Sequence, residues 1–215
     1  MADPVLYIGN KNYSSWSFRP WLGLRATGIA FEERLVPFDM AGGNAAFRAF
    51  SPTGKVPVLV DDGVTIWESL AILDHVARKH PGSGLWPEDA VRRSQAMAMS
   101  AEMVSSFQAL RGACPMNIRR PRKPIALTPA IVADVERIQA LWSQCLDRSG
   151  GPFLFGSFSL ADAMFAPVVN RLDVYAFKTR PDVSGYMARM QALPAWREWE
   201  AAARAEPWIV EEDEA

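Results

Sequence analysis

Three short segments in the first third of the chain set hydroxyls, a proline and an acid at junctions between elements, where backbone polar groups are free to hold a ligand. Asn12-Tyr13-Ser14-Ser15-Trp16-Ser17 leads from an apolar run into a helical stretch. A hydroxyl at a helix entry can donate to a thiolate, and the positive end of the dipole favours the same anion. Moving a thiol from about pKa 8.5 to about 6.5 takes about 2.7 kcal/mol, within reach of one charge-assisted bond plus a dipole. In Lys55-Val56-Pro57-Val58-Leu59 the proline opens an apolar strand. A cis Val56–Pro57 bond would turn the chain and offer the Val56 N–H and C=O to an extended peptide. Glu68 and Ser69 precede a helical stripe. There a carboxylate can meet free N–H groups and the Ser69 hydroxyl, while Glu68 accepts from an ammonium. Taken singly, each segment has a plainer reading: a serine-rich loop, a trans proline at a strand start, an N-cap serine.

The elements that would position these groups follow from pattern. Val5–Ile8 is apolar and stopped by Gly9-Asn10, which predicts a buried strand. Trp21, Leu22 and Leu24 lie ahead of Thr27-Gly28, a helix with a glycine stop. Residues 31–38 predict an edge strand, and Val56–Val60 with Val64–Trp67 flank the hairpin signal Asp61-Asp62-Gly63. Leu70, Leu73, Val76 and Ala77 give the next helical stripe. The order is β-α-β, an irregular segment, then β-β-α, a thioredoxin-like layout.

Beyond Gly84-Leu85-Trp86-Pro87 the pattern is helical throughout. Val91, Met97, Met103, Val104, Phe107 and Leu110 predict one long helix, and Thr128-Pro129 opens another that runs to Gly150. Ser159-Leu160-Ala161-Asp162 has the capping-box spacing. A last helical stretch spans 189–204, interrupted at Pro194. The fold class expected is an α+β thioredoxin-like domain over residues 1–82 followed by an all-α domain over 88–215.

The totals bound the function. Of 215 residues, 49% are hydrophobic and 22% charged, the balance of a soluble globular chain. A net charge of −1 gives no field to attract nucleic acid or anionic lipid. No apolar run reaches the ~20 residues of a membrane span, and the start Met1-Ala2-Asp3-Pro4 lacks the pattern of a signal peptide. Cys114 and Cys145 lie outside metal-ligand spacing and read as reduced thiols of a cytoplasmic protein, with no metal expected. Cys114 reads as a small buried hydrophobe, His75 and His80 as surface groups. Arg119-Arg120-Pro121-Arg122-Lys123 reads as a charged loop and Glu211-Glu212-Asp213-Glu214 as a solvated tail. Met97, Met99, Met103 and Met116 fit either an adaptable apolar pocket or core filling.

In combination the segments resemble the glutathione transferases, and within them the serine-type, zeta-like group. That group has a Ser-Ser-Cys-Ser run, an Asn-Pro-x-x-x-Val-Pro run and a Gln/Glu-Ser-Leu-Ala-Ile run. Here they stand as Ser14-Ser15-Trp16-Ser17, Ser51-Pro52-Thr53-Gly54-Lys55-Val56-Pro57 and Glu68-Ser69-Leu70-Ala71-Ile72. Phe158-Ser159-Leu160-Ala161-Asp162 is similar to the capped buried helix of the family, so the resemblance spans residues 4 to 208.

The resemblance implies an enzyme that activates the glutathione thiol for attack on a small electrophile, in the manner of detoxification. Glutathione would be co-substrate, with no permanently bound cofactor, and the expected assembly is a homodimer. Ser14 would hydrogen-bond the sulfur, with Ser15, Ser17 and Tyr13 as fallback donors. Val56 would pair with the cysteinyl backbone beside a cis Pro57, Glu68 and Ser69 would hold the γ-glutamyl end, and Lys55 the glycyl carboxylate. Tyr13, Trp16, Phe107, Arg111, Met116 and Asn117 would line the pocket of the second substrate. Trp16 stands where the zeta group has cysteine, which leaves conjugation, a maleylacetoacetate isomerase-like reaction and a non-catalytic binding protein all open.

Overall fold

The computed structural model describes residues 3–214. Strand β1 (Val5–Ile8) lies inside a four-stranded sheet of order β2-β1-β3-β4. β2 (Glu32–Leu35) pairs parallel with β1, and β3 (Val58–Asp61) pairs antiparallel on its other side. β4 (Val64–Trp67) forms the second edge in a hairpin with β3. Asp62 and Gly63 both have positive φ, as a two-residue turn matched to the strand twist requires. Leu6 and Ile8 are fully buried, so one face of β1 supports a core.

Helix α1 (Ser15–Ala26) makes the crossover between β1 and β2, and α2 (Ser69–Lys79) follows the hairpin. They approach closely at Gly23, where a Cβ would stand 2.4 Å from Leu73 Cδ2. Pro20 sits inside α1 and has no N–H, so the Trp16 carbonyl four residues back lacks its helical partner. The Ser69 hydroxyl donates to that carbonyl at 2.7 Å, fastening the start of α2 to α1.

The second half comprises α3 (Ala90–Ser105), α4 (Gln108–Ala113), α5 (Pro129–Ser149), α6 (Leu160–Val174), α7 (Pro181–Ala192) and α8 (Pro194–Ala205). Among the described residues its only β pairings are the isolated bridges Phe153–Gly156 and Phe155–Ser157. α6 is buried along nearly its whole length. At its start the Ser159 N–H and hydroxyl both donate to Asp162 Oδ2 at 2.8 Å, and the Leu154 N–H donates to Oδ1 at 3.1 Å. Phe18 of α1 stacks on Trp199 of α8 at 4.8 Å, so the two halves share one apolar core.

Several expectations need correction. The single helix predicted over residues 91–110 is two, because Ser106 is extended and Phe107 has φ 61. The break is held from both sides: the Leu110 N–H donates to Asp134 Oδ2, and Arg111 Nη1 donates to the carbonyls of Val104 and Ser106 at the end of α3. Val91 and Met97 face outward, while Ala96, Met99 and Met103 carry the buried face. The last helical stretch begins at Pro181, eight residues before Arg189, and Pro194 starts a separate helix. His75 is hydrogen-bonded to the buried Asp61 at 2.8 Å, which also accepts from Lys79. Arg119 is tied down by the carbonyls of Glu206 and Trp208, and Arg120 by that of Val174, so this basic run is a structural strap.

Candidate active site

Ser14 is the N-cap of α1: its Oγ accepts from the Ser17 N–H at 3.3 Å and donates to Ser17 Oγ at 2.7 Å. Ser17 is fully buried and also accepts from the Gly9 N–H, which makes it an internal brace. Ser15, the first helical residue, is half-buried and its hydroxyl makes no hydrogen bond within the described residues. Tyr13 donates its phenolic O–H to Glu214 and accepts from Arg119 Nη2.

Tyr13, Ser14 and Ser15 open onto a cleft made of two adjoining hollows that share Trp16, Lys55 and Val56. The first is completed by Thr53, Pro57, Trp67 and Glu68. The Val56–Pro57 bond is cis, and the Val56 N–H and C=O make no hydrogen bond within the described residues. Glu68 is exposed and holds φ 67 at the N-cap of α2, a conformation that costs a non-glycine residue about 1–3 kcal/mol. Ser69, expected to turn its hydroxyl to a ligand, is fully buried with that hydroxyl spent on Trp16. Its backbone N–H is the first of α2, one of those left without a partner inside the helix.

The second hollow adjoins Ser14 and Ser15 and is walled on its far side by Arg111, Met116, Arg171 and Asp213. Tyr13, Trp16, Arg111 and Met116 line this hollow. Phe107 and Asn117 are not on this surface. Phe107 packs in the core 6.4 Å from Phe165. Asn117 is buried, accepts from Asn12 Nδ2 and donates to the Asp213 carbonyl and to Glu214. The segment Glu211–Asp213 is a turn of 3-10 helix whose Asp213 lines the cleft, while Glu211 and Glu212 stay exposed as a solvated tail would. Sequence reasoning missed Arg171 and Asp213. The signal for Arg171 was a cation just beyond the apolar run from Ala163 to Val169, since such a charge is rarely buried without a role.

The far wall is electropositive. Arg171 is buried, and burial, then neighbouring Arg111, pulls its pKa down to about 10. Burial lowers Arg111 as well. Behind Trp16, buried Arg19 is held well below its usual value by desolvation and by the other two arginines. Burial pushes the Cys114 thiol up to about 11 and also raises Cys145, so neither presents a thiolate nucleophile. A groove between α3 and α5, lined by Met99, Leu141, Cys145 and Leu154, shares no residue with the cleft. Among the described residues no group of three or more His, Cys, Asp or Glu is placed to hold a metal ion.

Residues 13–79 match the family model for the glutathione S-transferase N-terminal domain, and residues 121–202 match that for the C-terminal domain. The chain belongs to the glutathione transferase family. Maleylacetoacetate isomerase of Rattus norvegicus is 28% identical over 205 residues, covering 91% of each chain. A probable maleylacetoacetate isomerase of Caenorhabditis elegans is 34% identical over 107 residues, 50% of this chain and 49% of that one. Both names agree with the serine-type, zeta-like resemblance. A crystal structure of a Burkholderia glutathione transferase homologue with bound glutathione superposes with TM-score 0.75 at 24% identity, covering 95% of this transferase and 100% of that chain. The fold is therefore that of the glutathione transferases, a small mixed-sheet domain followed by a helical one.

Proposed function

We propose that this transferase binds glutathione in the first hollow and activates its thiol at the start of α1 for attack on a small electrophile held in the second. The observation that carries the reading is the unpaired Val56 N–H and C=O, lying in one cleft with the free N-terminal ends of α1 and α2. Val56 pairs with the cysteinyl backbone as an added strand. The N–H of Ser69 and the dipole of α2 receive the γ-glutamyl carboxylate, Glu68 accepts from its ammonium, and Lys55 reaches the glycyl carboxylate. Ser14 turns its hydroxyl from Ser17 to the sulfur and lowers the thiol's pKa. The thiol proton leaves to solvent, the sulfur lone pair forms the C–S bond, and the leaving group departs with the bonding electrons. Proximity and thiolate stabilisation supply the rate, with residues 1–82 serving glutathione and 88–215 the electrophile.

A second reading is a glutathione-dependent isomerase, in which the thiolate adds to a conjugated alkene carbon and, after rotation about the new single bond, leaves with the C–S bonding pair while the carbanion pair re-forms the double bond. The likeness to the rat isomerase along most of both chains favours it. Calorimetric titration with glutathione tests the site: no binding would end both readings. Thiol consumption against a panel of electrophiles then separates them, since conjugation consumes glutathione and isomerisation returns it. A chain that binds glutathione without turnover on any electrophile or cis-alkene would be a binding protein.

We infer a cytoplasmic homodimer. The unpaired thiols of Cys114 and Cys145 suit a reducing compartment. Edge strand β4 leaves Val64 and Trp67 exposed, and beside α2 an apolar hollow is lined by Leu70, Ala71, Met97 and Val104. Sedimentation of Met97→Asp should give a monomer where the parent chain gives a dimer; a parent that sediments as a monomer refutes the assembly.

A further inference from the structure

We propose that Glu206 is a positioning residue for thiol activation, holding the loop that carries the Ser14 hydroxyl; this deepens, and rests on, the reading of the cleft given above. The loop between β1 and α1 is buried: Asn10 and Asn12 fully, Lys11, Tyr13 and Ser14 nearly so. Its backbone donors therefore have to be paired. The Asn10 carbonyl accepts from the N–H of Tyr13 at 3.2 Å and of Ser14 at 2.8 Å, so the turn closes on the residue that bears the hydroxyl. The N–H groups of Lys11 and Asn12 find no carbonyl in the loop itself. Both donate to the Glu206 carboxylate, at 2.6 Å to Oε1 and 3.0 Å to Oε2. One carboxylate thus bridges two consecutive amides from 195 and 194 positions away.

Glu206 follows the last residue of α8 and is only 8% exposed. No cation pairs with its carboxylate among the described residues: Lys11 Nζ turns to Glu33 at 2.8 Å, and Arg119 Nη1 donates to the Glu206 carbonyl at 2.6 Å. A buried carboxylate is costly unless hydrogen-bonded, and its partners here are the two loop amides. A second anchor comes from the segment ahead of α5. Asn12 Oδ1 accepts from the Arg119 N–H at 2.9 Å, Asn12 Nδ2 donates to Asn117 Oδ1 at 3.0 Å, and the Asn12 carbonyl accepts from the Ile118 N–H at 3.2 Å. The helical half therefore fixes where the Ser14 hydroxyl stands, whereas Val56, Glu68 and Ser69 lie on other elements. A hydrogen bond weakens steeply once its angle and distance drift. A misplacement of about 1 Å can cost about a hundredfold in rate, even when its origin is remote from the chemistry.

The test reads the thiol of bound glutathione in the full chain. Ultraviolet absorbance of the thiolate, followed against pH, gives its pKa in the complex, and calorimetry gives the affinity. Glu206→Gln keeps the size of the side chain and removes its charge and one acceptor. The bound thiol should then titrate about one pH unit higher and kcat for conjugation should fall about tenfold, with glutathione affinity and KM within about twofold of the parent. Glu206→Asp draws the charge back by one methylene; as the second variant it should fall between the parent and Glu206→Gln. In a Ser14→Ala background either change should cost less than about twofold more, because the hydroxyl it positions is gone. A merely structural role predicts lower stability or lower kcat with the thiol pKa unmoved, and that result overturns the inference. A tenfold loss that persists in Ser14→Ala overturns it too, by placing the effect on another group. Both results leave glutathione binding and thiol activation standing. A parent chain that fails to bind glutathione or to lower its thiol pKa, or a fully active Ser14→Ala, overturns activation by Ser14 and the inference with it.

Discussion

The sheet side of the cleft offers backbone groups, at Val56 and at the starts of α1 and α2, whereas the helical side offers side-chain charge, at Arg111 and Arg171. The difference follows from what each half can expose. A mixed sheet with a helix crossing over it leaves unpaired backbone polar groups at its turns and helix entries, fixed by the fold whatever the side chains are. The helical half satisfies its backbone internally, so selectivity there has to come from side chains that project from it. One wall is suited to a constant peptide and the other to a variable partner.

The sharpest way to break the contrast is to loosen the helical half. Asp162 is fully buried and accepts from the Ser159 N–H and hydroxyl and from the Leu154 N–H. Asp162→Ala leaves those donors unsatisfied and should cost roughly 3 kcal/mol or more of unfolding free energy, read from denaturant unfolding. A loss under 1 kcal/mol would mean that the start of α6 is held by packing alone. Burial, against the opposing hydrogen bonds, raises the Asp162 carboxyl to about 6. The folded state then binds more protons than the unfolded one between pH ~4 and ~6, so this group's contribution to stability declines as pH rises through that window. The stability of the parent chain relative to Asp162→Asn should be greatest near pH 4 and level off above 6.

On the sheet side the largest effect falls on chemistry. Ser14→Ala should leave glutathione affinity nearly intact and slow conjugation ten- to a hundredfold, about 1.4–2.7 kcal/mol in the transition state. The pH–rate midpoint should move up toward the free thiol value. Full activity in Ser14→Ala with loss in Ser15→Ala would transfer the role to the hydroxyl that is unbonded and already lines the cleft.

Legibility in the sequence divides along the same line. The sheet side was readable because its devices are local: an N-cap serine, the Asp62-Gly63 turn, Val56-Pro57, Glu68-Ser69 at a helix start. The helical wall was only partly so. Arg111 lines the second hollow as expected of its position, but Arg171 and Asp213 reach the cleft from elements 60 and 102 positions further along, a proximity no spacing encodes. Phe107 was misplaced because helical periodicity was carried across a break that depends on Asp134, 24 positions from Leu110, and on Arg111 folding back onto the end of α3. Ser69 stands at the start of α2 as expected, but its hydroxyl is bonded to the Trp16 carbonyl, and nothing in its own segment shows that Pro20 strands that carbonyl.

That bond yields the next test. Ser69→Ala should weaken glutathione binding by about 1–3 kcal/mol, through lost support for the start of α2 and its N–H. Pro20→Ala restores an N–H to α1 and gives the Trp16 carbonyl a helical partner, so in that background Ser69→Ala should cost measurably less. Equal costs in the two backgrounds would return the hydroxyl to direct contact with the ligand.

The smallest effect separates stability from binding. Thr128 caps α5, its Oγ accepting from the Ile131 N–H at 3.3 Å, with Pro129 in the first helical position. Loss of a cap costs about 1 kcal/mol, so Thr128→Ala should lower the melting temperature by roughly 2–4 °C. α5 contributes no residue to the cleft, and its contacts run instead to α4 and α7. Glutathione affinity should therefore be unchanged below the transition. A shift in that affinity would mean that the cleft moves with the helices behind it, and that its helical side is a compliant surface set by the stability of its scaffold.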